Sequence, residues 1–126
     1  MSATNAGIRQ RQCTMKASAT IAASFSILKK NGSDLVGKVV MLSDDNEVEI
    51  ITTNSKVFGQ LKEVLDDGYC VVTDEGWTDL PTDGTAINYG SGLLGGATAG
   101  TVKTGAGTSN IAIASAGTNK VRAKLF

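Results

Sequence analysis

Residues 66–81 read DDGYCVVTDEGWTDLP, and the parsing of this run decides the fold. It packs five acidic groups, a cysteine and the only tryptophan of the chain into sixteen residues. Such crowding suits an active site, but it equally suits a strand set between turns. Residues 69–73, YCVVT, are β-branched and aromatic, with Asp-Asp-Gly before them and Asp-Glu-Gly after them. Turn residues at this short spacing predict a buried strand of an antiparallel meander, with Cys70 in the core and Trp77 opening the next strand.

Working outward, the same rhythm recurs. Residues 20–28, TIAASFSIL, alternate so that Ile21, Ala23, Phe25 and Ile27 share one face, which predicts a strand. Asn31-Gly32 favours the positive φ of a tight turn before VGKVVML, and Asp44-Asp45-Asn46 marks a second turn before VEIITT. Residues 56–65, KVFGQLKEVL, fit a helix through Val57, Phe58, Leu61, Val64 and Leu65, yet Val57, Leu61 and Leu65 also fit one face of a strand. Gly59 and the turn that follows tilt this segment toward a strand. Beyond Pro81, AINYG, TAGTVKTG, SNIAIAS and NKVRAKLF are short segments separated by Gly or Asn. About ten short strands describe an all-β fold, a small β-barrel or β-sandwich of short antiparallel strands. Residues 1–18 lack periodicity and read as an extended N-terminal arm, leaving residues 19–126 as one β-domain. The arm is expected either to fray or to order on a neighbouring subunit.

The 126 residues, 41% apolar and 19% charged with fifteen glycines, suit one turn-rich globular domain. There is no histidine, which removes Ser-His-Asp and Cys-His machinery and His-ligated metal sites together. Cys13 and Cys70 have no CxxC spacing and read as inert thiols. No apolar run reaches the ~18 residues of a membrane span, and no hydrophobic leader follows the first basic residues, so synthesis in the cytosol is expected. The zero net charge hides three blocks. Residues 1–33 carry +5 with no acid, residues 34–83 hold all twelve acids for a net −9, and residues 84–126 carry +4 with no acid. The blocks either cancel within the fold or form complementary patches for oriented association. A thin basic arm beside an acidic centre argues against nucleic-acid binding.

Several motifs tempt. Residues 90–95, GSGLLG, match the dinucleotide fingerprint, but GATAGTVKTGAGTSN cannot supply the helix that must follow, and no acid occurs after Asp83 to hold a ribose. A flexible loop or close backbone packing around Leu93 and Leu94 explains these glycines better. The acids at residues 44–45 lack the glycine of a calcium loop, and Asn31-Gly32-Ser33 is a chance glycosylation match. Asp66, Asp67, Asp74, Glu75, Asp79 and Asp83 mostly flank glycines at expected turn tips, where solvent keeps carboxylates ordinary. No catalytic residue, cofactor or metal site is therefore expected. The candidate interface residues are Ile8, Arg9, Arg11 and Met15 of the arm, together with Trp77, Leu93 and Leu94.

Taken in order, VGKVVMLSDDNEVEI, KVFGQLKEVLDDGYCVVTDEGWTDLP, SGLLGG, GTVKTG and KVRAKLF resemble the capsid decoration, or cement, proteins of tailed bacteriophages. The resemblance covers residues 35–126 and rests on glycine and valine patterns. It implies a structural virion protein, often a homotrimer, that sits on the outer capsid surface and stabilises the shell by bridging major capsid protein subunits. The alternative expectation is a receptor- or glycan-binding module of a virion appendage, with Trp77 and Tyr89 as stacking platforms.

Overall fold

The computed structural model describes residues 10–126. Its fold is all-β, and the first five strands close a barrel. These are β1 (Gln10–Ala17), β2 (Val39–Asp44), β3 (Glu47–Ile50), β4 (Gly59–Val64) and β5 (Tyr69–Pro81). The ring runs β1-β3-β2-β4-β5, and β1 pairs again with β5 to close it. All contacts around the ring are antiparallel except β1 with β3, where Lys16 lies opposite Glu47.

The 66–81 stretch is the hinge of this architecture. Asp-Asp-Gly forms the turn between β4 and β5, as expected, with Gly68 at φ 87. The second expected turn, at Asp-Glu-Gly, does not exist: β5 runs unbroken for 13 residues, and Trp77 lies inside it rather than opening another strand. At Gly76 the strand changes partners instead. Gly76 is opposite both Gln10 of β1 and Leu125 of β9 (Lys120–Leu125). Its φ of 105 is a conformation natural only to glycine, so the residue read as a turn is the joint at which β5 leaves the barrel.

Beyond the joint, β5, β9 and β8 (Asn110–Gly117) extend the sheet, and the hairpin of β6 (Leu93–Gly95) and β7 (Val102–Thr104) forms a second small sheet. Period-2 alternation thus feeds two cores. Met15, Ile21, Val40, Val48, Leu61, Val64, Cys70 and Val72 fill the barrel. Val39, Ile51, Leu80, Leu93, Val102, Val121 and Leu125 fill the other core. Val39 and Val40 are successive residues of β2 and serve one core each, as the pleat requires.

Residues 56–65 hold strand β4 and no helix, because Leu61 and Val64 are needed in the ladder against Val72 and Cys70. Three segments depart from the reading of the sequence. Of the residues read as an arm, 10–17 are strand β1, in which Cys13, Met15 and Ala17 turn toward the barrel core, while residues 1–9 lie outside the described residues. Residues 20–28 are no strand. The Ser18 hydroxyl accepts the Ile21 N–H at 3.3 Å and caps the short helix α1 (Ala19–Ala23), whose alanines favour that state, and turns follow it. Residues 86–90 form a loop, with only Ile87 packed on the second core.

Candidate contact surfaces

Among the described residues, the segregated charges meet within the fold at two places. Arg11 grips Asp74 through Nε at 3.1 Å and Nη2 at 2.7 Å, with Glu75 at 3.4 Å from Nη1. The Asp74 side chain is only 10% exposed, and the hydrogen bond from Arg11 holds its carboxyl below the ordinary value. Arg122 reaches Asp79 at 3.0 Å across β9 and β5. Both basic ends of the chain therefore touch the acidic centre. Asp83 acts as a brace: its carboxylate accepts from the Thr85 hydroxyl and N–H and from the Ala97 N–H, bonds that lower its pKa.

The interface residues expected from the sequence separate. Ile8 and Arg9 lie outside the described residues. Arg11 is engaged with Asp74, and Met15 is buried in the barrel. Leu93 is fully buried, its N–H and C=O both bonded to the Asn110 side chain, so it offers nothing to a partner. Cys70 is buried too, and desolvation pushes its thiol up to about 11. The glycines around Leu93 serve close packing. A Cβ on Gly92 would stand 1.9 Å from the Gly107 carbonyl oxygen, and one on Gly95 would stand 1.8 Å from that of Thr52.

Trp77 remains available. Thr78 and Leu80 point inward, so Trp77 and Asp79 take the outer face of the extended sheet. There Trp77 is half-buried and in register with Lys124 of β9, which is in register with Ile111 of β8. Exposed Phe126 completes the face, with the Lys124 ammonium 5.5 Å from its ring centre. Tyr89 is exposed in the separate 86–90 loop.

Two further apolar surfaces escaped the sequence reading. The first is a knob. Ile27 is 88% and Leu28 91% exposed, at the tip of a loop tied by Ser26 N–H to Gly32 C=O at 2.6 Å and Gly32 N–H to Lys29 C=O at 3.0 Å. The loop is seated on the end of β4, where a Cβ on Gly32 would stand 2.2 Å from the Val64 oxygen. These aliphatics are therefore held in water by an ordered backbone. The second is a groove of about 700 Å³ at the opposite end of β4, lined by Met41, Leu42, Val57, Phe58 and Leu94 among others. Leu94, the one expected interface residue found here, is half-buried, and Leu42 is exposed. Comparison of the chain with protein-family models, with curated proteins and with solved structures gave no match.

Proposed function

We propose that this protein is a structural virion component that binds the outer surface of a capsid and stabilises it by bridging major capsid protein subunits. The observation that carries the reading is the distribution of apolar surface. A two-core β-fold presents three separate contact regions: the Ile27-Leu28 knob, the Leu42 groove and the Trp77–Phe126 face. A bridge needs several faces that engage different neighbours at once, copies of the protein as well as subunits of the shell, because simultaneous engagement multiplies modest contacts into strong retention. The closed barrel suits that load, since five of its strands leave no free edge between them. In this reading the sheet face of Trp77, Lys124 and Phe126 meets the shell, with the tryptophan as anchor and the basic residues as its rim.

The test mixes purified protein with heads that lack it. Saturable co-sedimentation and a gain in resistance to heat are expected, and both should weaken in Trp77→Ala. Absence of saturable binding would reject the proposal. Tryptophan-dependent binding on a glycan array in place of head binding would favour an appendage module.

A further inference from the structure

We propose that the Ile27-Leu28 knob of one chain inserts into the Leu42 groove of a second copy. The proposal takes two of the three surfaces invoked above, but it concerns the free protein and stands or falls without a shell.

The two surfaces are matched in kind. The knob offers two branched aliphatic side chains, 88% and 91% exposed, and the groove of about 700 Å³ offers Met41, Leu42, Val57, Phe58 and Leu94 within a lining that also holds Asn54, Ser55 and Thr108. They cannot meet within one chain. The knob loop sits against Val64, the last residue of β4, and the groove is formed by residues 56–58 that lead into its first, so a strand of six residues separates them. Six residues span roughly 20 Å.

Charge matches as well. Lys29 and Lys30 follow the knob directly, while Asp44 and Asp45 follow Leu42 at the exposed β2–β3 turn. In the opposite sense, Glu63 and Asp66 stand beside the knob loop, and Lys56 is the charged residue lining the groove. Each end thus carries both signs, and a head-to-tail contact sets Lys29 and Lys30 against Asp44 and Asp45 and Lys56 against Glu63 and Asp66, a pairing that fixes orientation at a contact. A knob and a groove on different ends of one molecule make a head-to-tail contact, which generates a closed ring if the rotation closes and a filament if it does not.

The experiment is analytical ultracentrifugation of the free protein with two variants, Ile27→Asp/Leu28→Asp in the knob and Leu42→Arg in the groove. All altered side chains are exposed, and circular dichroism checks that the fold is kept. The wild type should associate, and each variant alone should be monomeric. Mixing the two should yield a 1:1 dimer and nothing larger, because one intact knob meets one intact groove. The charge variant Lys29→Glu/Lys30→Glu should weaken association roughly tenfold. A monomeric wild type, an oligomer indifferent to the knob variant, or a mixture that stays monomeric would each overturn the proposal. None of these outcomes bears on head binding, which is scored separately with the monomeric variants.

Discussion

At the scale of single residues, the chemistry of the 66–81 stretch is that of packing and pairing. Cys70 is buried with its thiol raised to about 11, so it holds little thiolate at neutral pH. In a Cys13→Ser background, Cys70 should stay unreactive toward a disulfide reagent at about pH 8 until denaturant is added. Rapid labelling of the native protein would contradict its burial. Asp74 yields a pH dependence. Its folded pKa is depressed by Arg11, so the contribution of the pair is complete above the unfolded carboxylate value of about 3.9 and is lost as the pH falls through the lower folded value. Thermal melts should therefore show Asp74→Asn less stable than wild type near neutrality, with the gap narrowing as the pH drops through that acid range. A gap that stays constant with pH would remove Asp74 from the account.

At the scale of elements, β4 and β5 are held at close range by Gly59, where a Cβ would stand 2.3 Å from the Thr73 oxygen and 2.6 Å from Val72 Cγ1. Gly59→Ala should cost about 1–3 kcal/mol in denaturant unfolding, the range for overpacking a core. A neutral result would mean that the ladder slides freely there. The sequence exposes strands β2, β3 and β4 because each is a short apolar-rich run followed by a turn residue whose φ is positive, Asn46, Asn54 and Gly68 respectively. It hides β1, although Cys13, Met15 and Ala17 at spacing two carried the signal: their polar companions resemble a tail, and only the long-range pairing with Val72 and Cys70 makes them a strand. It misleads at residues 20–28, where alternation suits a strand but the Ser18 cap acts locally and no neighbouring strand is available. The knob is hidden for the same reason, since Ile27 falls on the shared face of that expected strand. Trp77 was legible as a contact residue from its type, whereas the burial of Leu93 follows from a hairpin that no local pattern announces.

For the whole molecule, the separated charge blocks do two kinds of work. Arg11 and Arg122 tie both ends of the described chain to the acidic centre, and the remaining segregation leaves Lys29-Lys30 at the knob and Asp44-Asp45 at the β2–β3 turn that follows Leu42. The account is of a contact molecule whose faces are divided between its own copies and a shell. Hydrogen exchange measured on the free protein and on the protein bound to heads tests that division most directly. The account predicts saturable binding, with residues 26–30 and 41–45 already protected in the free oligomer and new protection on β8 and β9 appearing only on heads. Binding that never saturates, or exchange on β8 and β9 that is the same free and bound, would contradict it.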